Sequence, residues 1–206
     1  MARIFFEDFE TDGNGTRYTT STPEFTDDFN DYFLRTDGSD INGTVEFTGI
    51  EGSFFFAAQD INGEGGLPQE SILFSGIDIS GFENLSFNGL FAEDDSSDGN
   101  EDWDNSEFVA IEVSIDGGAF QSILAFENDG SEFNGAPLQD TDFDDTGDGT
   151  ELTPAFSTFT APIDGTGSTL DLRITVELEA GDEDIAVDAL ELTGDTAMTG
   201  GGDTGG

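Results

Sequence analysis

The sequence contains no cysteine, no histidine and no lysine, and its only basic side chains are Arg3, Arg17, Arg35 and Arg173. Without cysteine there is no disulfide framework and no thiolate metal site. Without histidine there is no imidazole general base and no Ser-His pair. Four arginines cannot neutralise a run of phosphates, so nucleic acid and anionic lipid are excluded as partners. No stretch approaches the roughly eighteen apolar residues that span a bilayer, and membrane insertion is not expected. The opening MARIFFEDFE lacks a basic region followed by a long apolar one, so no signal peptide is visible. An extracellular protein of this kind is then a fragment of a larger chain or leaves by a route needing no signal.

Against those absences stand 47 acidic residues and a formal net charge of −43. Such a chain repels itself, so its compact state calls for high ionic strength, bound divalent cations or both. The 21 phenylalanines argue against a disordered acidic polymer, because disordered segments are poor in aromatics and in strand-like apolar runs. At 206 residues the chain can bury one sizeable core.

Apolar and polar residues alternate in many short stretches, the period-two signature of half-buried strands. Strands are expected over residues 3–10, 31–35, 44–47, 53–58, 84–91, 107–115, 119–126 and 156–161, with short apolar pieces at 71–75 and 77–79. Asp116-Gly117-Gly118 marks a hairpin turn. No amphipathic helix is apparent. The fold class expected is all-β, an antiparallel two-sheet sandwich, with residues 1–194 as one domain and 195–206 as a flexible Gly/Thr-rich tail. The final pair of strands, Thr169 to Gly194, reads as a hairpin about Ala180-Gly181-Asp182. Its second arm embeds Asp188 in IAVDALEL, where an unpaired carboxylate is too costly to keep without a proton, donors or a cation.

Phe9-Glu10 near the start and Asp188 near the end resemble the ends of calcium-stabilised jelly-roll modules of the carbohydrate-binding and MAM-like kind. VSIDGGAF (113–120) and GTGSTLDLRITV (165–176) resemble hairpins of jelly-roll domains attached to exported bacterial proteins. The resemblance covers most of residues 3–194. It implies a jelly roll and a structural Ca²⁺ shared by Glu10 and Asp188, with Asp12 beside them. The usual Asp-Asn of such modules reads Asp188-Ala189 here, so only the aspartate carries over.

Two acidic loops are candidate sites in their own right. Residues 139–151 place Asp140, Asp142, Asp144 and Asp148 at alternate positions, and hard Ca²⁺ takes six to eight oxygens that such a run can supply. Glu151 stands at the twelfth position as an EF-hand would have it, but Asp145 replaces the sixth-position glycine and no helices flank the loop, so it is not an EF-hand; a solvated acidic loop is the plainer reading. Residues 93–107 hold the single tryptophan, Trp103, next to Asp104 and Glu107, a candidate ligand-binding group. Asp102-x-Asp104-x-x-Glu107 is a loose echo of the ExDxxE strand of β-sandwich glycosidases. Sugar binding through aromatic platforms would have to use Trp103, Tyr18 or Tyr32, since the phenylalanines sit mostly at inward-alternating positions.

These readings converge on a non-catalytic, calcium-binding jelly-roll module, secreted or at a bacterial cell surface. Its role is structural or adhesive within a larger assembly, with other modules, copies of itself or polysaccharide as partners. A carbohydrate-binding module and a glycoside hydrolase using Asp and Glu are the alternatives.

Overall fold

The computed structural model describes residues 1–27, 31–41, 47–62, 67–94, 103–181 and 183–197. Among these there is no helix, and thirteen strands form two antiparallel sheets. In chain order they are β1 (Ala2–Glu7), β2 (Thr19–Thr20), β3 (Phe25–Asp27), β4 (Asp31–Thr36), β5 (Phe55–Gln59), β6 (Glu70–Asp78) and β7 (Phe82–Ala92). They continue with β8 (Phe108–Ile115), β9 (Gln121–Asn128), β10 (Pro137–Asp140), β11 (Ser157–Ile163), β12 (Thr169–Glu177) and β13 (Asp184–Thr196). One sheet has the order β11-β7-β13-β5-β4-β3 with β1 also on β13, and the other has the order β10-β9-β8-β12-β6-β2. This is the expected jelly-roll sandwich.

The two strands read as a closing hairpin are not paired with each other. β12 lies between β8 and β6 in one sheet, and β13 lies in the other. Residues 178–183 therefore carry the chain from one sheet across to its partner. The expected strand at 44–47 falls mostly on residues 44–46, outside the described ones. The pieces expected at 71–75 and 77–79 are the single strand β6, kinked at Gly76 (φ 72°), whose N–H donates to Asp171 Oδ1 at 2.7 Å. β13 runs two residues past the expected domain end, pairing Asp195 with Glu83 and Thr196 with Phe82. The rest of the expected tail, from residue 198, lies outside the described residues.

Phenylalanine fills the space between the sheets. Phe126 meets Phe159 edge-on at 4.8 Å and Phe33 meets Phe56 at the same separation, geometries in which ring edges face ring faces. A second, smaller core covers the outer face of the seven-stranded sheet. It contains Tyr32, Leu34, Ile41, Phe55, Ala57, Ala92 and Ala186, closed over by Phe47, Ile50 and Phe156.

β13 holds these layers together. Ile185 and Val187 point into the main core while Ala186 packs in the outer one. A β-bulge then interrupts the alternation: Ala189 adopts φ 47°, the register with β7 slips between Asp188 and Glu191, and Leu190 and Leu192 return to the main core. Gly89 of β7 makes room, since a Cβ there would sit 2.9 Å from Phe91 and 3.1 Å from Leu190. At the bulge β13 also changes its neighbour, from β5 along 184–187 to β1 along 190–194.

Candidate functional site

The outer face of the six-stranded sheet is a groove of about 650 Å³. Ala110 of β8 and Ala125 of β9 give its floor depth, and Ser71, Ser122 and Thr175 add small hydroxyls. Arg173 and Glu112 stand opposite each other in the β12–β8 register. Arg173 makes a two-pronged ion pair with Glu112, Nε to Oε2 at 2.8 Å and the second nitrogen to Oε1 at 2.9 Å, while the Thr175 hydroxyl donates to Oε2 at 2.7 Å. The guanidinium also lies 3.9 Å over the Phe120 ring. Held on both sides, it is a rigid donor. Glu127 lines the same groove, its carboxyl pushed up to about 8 by burial first and then by the nearby charges of Asp145, Asp140 and Glu177.

One rim of the groove is the loop after β10. Asp140 is buried and organises it, Oδ1 accepting from the N–H groups of Asp142 (3.1 Å) and Phe143 (2.7 Å) and Oδ2 from Asp145 (3.2 Å). That wrapping places Phe143 at φ 59° with its ring half exposed, where it lines the groove and also a neighbouring hollow of about 380 Å³. Sequence reasoning missed Phe143 by assigning phenylalanines to the core. The available signal was its isolation, a lone aromatic among aspartates and off any alternating pattern. Gly147 seals the loop to β9; a Cβ there would lie 2.4 Å from the Glu127 carbonyl oxygen.

The proposed metal ligands divide. Asp140, Asp142 and Asp144 each bring a carboxylate oxygen within 4.8 Å of the others. Asp142 is raised, chiefly by the Asp144 charge. Asp148 does not join them: its Oδ1 accepts from the Thr141 N–H (3.0 Å) and hydroxyl (2.7 Å), which lowers its pKa. Asp12 caps its own turn, accepting from Asn14 N at 3.2 Å.

Glu10 and Asp188 meet at the loop 51–54. Glu51 N donates to Asp188 Oδ2 at 2.8 Å, and the N–H groups of Ser53 and Phe54 donate to Glu10 Oε1 at 2.6 and 2.7 Å. Asp188 Oδ1 accepts from Ala189 N at 2.7 Å. Asp188 thus projects from the outer face of its sheet, just before the bulge, a face that its apolar neighbours in sequence did not specify. It is fully buried, and burial pushes its carboxyl up to about 7 despite both backbone donors, with Glu51 and Asp8 adding repulsion. A basic group does stand near Glu10: Arg35 donates to the Phe9 and Glu10 carbonyls and stacks 3.7 Å over Phe54. The carboxylates here come from Asp8, Glu10, Glu51 and Asp188; unlike Asp140, Asp142 and Asp144, they do not bring three carboxylate oxygens within 4.8 Å of one another.

The Trp103 group is structural. Trp103 is fully buried, with Nε1 donating to the Asp184 carbonyl at 3.3 Å, so it cannot contact a surface ligand. Tyr18 and Tyr32 are buried as well, leaving no Trp or Tyr platform among the described residues. Glu107 is buried, accepts from Asp104 N and Glu179 N, and shares a hydrogen bond with Glu183; burial first and Glu183 second raise it to about 10. Asp104 is half-buried and accepts from Asn134 N at 3.3 Å. Asp102, the first position of the glycosidase echo, lies outside the described residues.

Comparison of the sequence with protein-family profiles and with curated proteins gives no match. Solved structures do match. The K2 cleaved adhesin domain of Lys-gingipain superposes with a TM-score of 0.50 at 16% identity, covering 92% of this chain and 98% of that one. The CBM22-1 xylan-binding domain of Xyn10C from Paenibacillus barcinonensis superposes with a TM-score of 0.50 at 10% identity, covering 96% and 97%. The chain has the jelly-roll fold shared by these adhesin and carbohydrate-binding domains.

Proposed function

We propose that the protein is a non-catalytic glycan-binding module that serves adhesion at a bacterial cell surface or within a secreted assembly. The observation carrying this reading is the groove across β6, β12, β8 and β9, with its fixed Arg173–Glu112–Thr175 group and the Phe143 ring at its rim. Hydroxyl-rich, uncharged chains suit it. Sugar hydroxyls pair with a preorganised donor and acceptor, and an exposed ring takes a pyranose face. A surface at −43 repels acidic polysaccharides, so the ligand is a neutral glycan, xylan and β-glucans being the first to try.

The pair Glu112 and Glu127 suits binding better than hydrolysis, and Asp140 is taken up by three backbone N–H groups. Both Glu112 oxygens are occupied by Arg173 and Thr175. Glu127 pairs with Phe108, four residues along β8 from Glu112. At about 3.3 Å per residue that separates the two by roughly 13 Å of strand, beyond the roughly 5–9.5 Å between paired glycosidase carboxyls.

Calcium belongs to the same proposal. Glu10 and Asp188, with Asp8 and Glu51 drawn toward them, would hold one ion and so tie the loop 51–54 to both ends of the chain. Asp140, Asp142 and Asp144 would hold another and stiffen the rim that carries Phe143. Bound there, Ca²⁺ supplies charge neutralisation and nothing chemical. The test is affinity electrophoresis in gels containing neutral polysaccharides, with Phe143→Ala as the variant. Burying the exposed part of that ring contributes about 1.5 kcal/mol, so its loss weakens binding about tenfold. Retardation unaffected by Phe143→Ala and by Arg173→Ala, or release of reducing sugar, would overturn the reading.

A further inference from the structure

Four polar side chains form a row across the outer face of the seven-stranded sheet, at the end opposite the bulge. Tyr32 of β4 pairs in register with Gln59 of β5, and Gln59 pairs with Asp184 of β13. The fourth is Asp94, two residues beyond the Ala92–Ala186 pair, whose N–H donates to Asp184 Oδ1 at 2.9 Å. All four are buried, at 0%, 2%, 3% and 6% exposure in that order. Residues opposite one another in a sheet share a face, so the row is a consequence of register alone.

Two of its atoms lack what buried polar atoms need. The Tyr32 hydroxyl and Gln59 Oε1 have no hydrogen-bond partner among the described residues. The Gln59 amide is oriented by its other end, which donates to the Gly181 carbonyl and leaves Oε1 as a bare acceptor. Buried groups of this kind are costly unless something satisfies them. The charges of Asp184 and Asp94 both act on the Tyr32 hydroxyl, which places it toward them.

No basic side chain is free to answer these oxygens. Arg3 is paired with Glu191, Arg17 with Glu7 and Arg173 with Glu112, and Arg35 is spent on the Phe9 and Glu10 carbonyls. A donor set of carboxylate, amide and phenol oxygens, with no nitrogen or sulfur, selects hard cations.

We propose that Tyr32, Gln59, Asp94 and Asp184 form a buried divalent-cation site that takes Ca²⁺, separate from the Glu10–Asp188 corner and from the loop after β10. The ion joins β4, β5, β13 and the end of β7 on one face. This stands whether or not the groove binds glycans.

The chain's single tryptophan offers a local reporter, since Trp103 donates to the Asp184 carbonyl. Terbium(III) occupies calcium sites and emits when excited through a nearby indole. The folded full chain should show indole-sensitised terbium emission that calcium displaces, the ion displacing any proton held by Asp184. Asp184→Asn should abolish it, while Asp188→Asn and Asp142→Asn should leave it. Tyr32→Phe removes one oxygen without disturbing the packing and should weaken terbium about tenfold, which covers the case in which Asp184→Asn does not fold. Absence of sensitised emission from the folded protein, meaning that protons alone satisfy the row, would overturn the proposal. So would emission unchanged in both Asp184→Asn and Tyr32→Phe.

Discussion

Glu107 and Glu183 are two buried acids that share a hydrogen bond, and the pair can be tested by choosing what replaces one of them. Glu107→Gln keeps one carbonyl oxygen to accept from Asp104 N and an amide that donates to Glu183, while Glu179 N retains Glu183 Oε2 as its acceptor. Glu107→Ala removes the acceptor of Asp104 N, leaves Glu179 N with Glu183 Oε2 alone, and opens a cavity. The one stranded donor costs about 1–3 kcal/mol and the cavity about 2 kcal/mol more, so Glu107→Ala should lose roughly 3–5 kcal/mol at neutral pH. The response to pH separates the variants further. Glu107 is raised from 4.5 to about 10, so between those values the folded state holds a proton that the unfolded chain has released. Unfolding then releases a proton, and stability falls as pH rises, by about 1.4 kcal/mol per pH unit for one proton. Glu107→Gln has no such proton. Relative to the parent it should gain about 2.7 kcal/mol between pH 6 and pH 8. Denaturant unfolding at both pH values, with calcium saturating and ionic strength fixed, measures this directly. A Glu107→Gln penalty equal to that of Glu107→Ala, with no change between the two pH values, would refute the shared-proton account.

Calcium should raise the melting temperature at fixed ionic strength and chelator should lower it. An ion at about a hundred times its Kd contributes roughly 2.7 kcal/mol, and Asp188→Asn should lose much of that gain. Gly147→Ala should destabilise the domain by about 1–3 kcal/mol and weaken glycan retention as well, because the new methyl displaces the rim from β9. Thermal denaturation and affinity gels together check this, and an unperturbed variant would sink it. A far-UV circular dichroism spectrum should show β-structure and no helical minima; a helix-dominated spectrum would contradict the fold.

The sandwich was legible because alternation is local: β7, β8, β12 and β13 each announce themselves by a period of two. Sheet membership was not. Whether β12 and β13 pair depends on where the core lies between them, and two arms about Ala180-Gly181 look the same in either case. The burial of Asp188 could be read from its apolar neighbours, but its face could not. Ala189 carries no sign of the bulge that shifts the alternation by one residue. The groove was hidden for a similar reason. Arg173 and Glu112 lie 61 residues apart and are joined only by register. The buried row was hidden too, since Tyr32, Gln59, Asp94 and Asp184 look unremarkable singly. Trp103 misled because a lone tryptophan in an acidic stretch reads as exposed, whereas the fold turns it inward.

The position of β13 bears on when this protein can fold. Residues 184–196 are the central strand of their sheet and the shared neighbour of β1, β5 and β7. A chain translated only as far as residue 183 has β1 without a partner and β7 separated from β5, with both cores uncovered. Nothing local can substitute, because the missing pairs reach back almost to the first residue. Closure therefore waits for synthesis to pass residue 196, and until then the ribosome carries a soft, heavily charged, self-repelling polymer. A protein built this way is kept open by its own topology until its last strand is made, and it acquires its shape in a single late event.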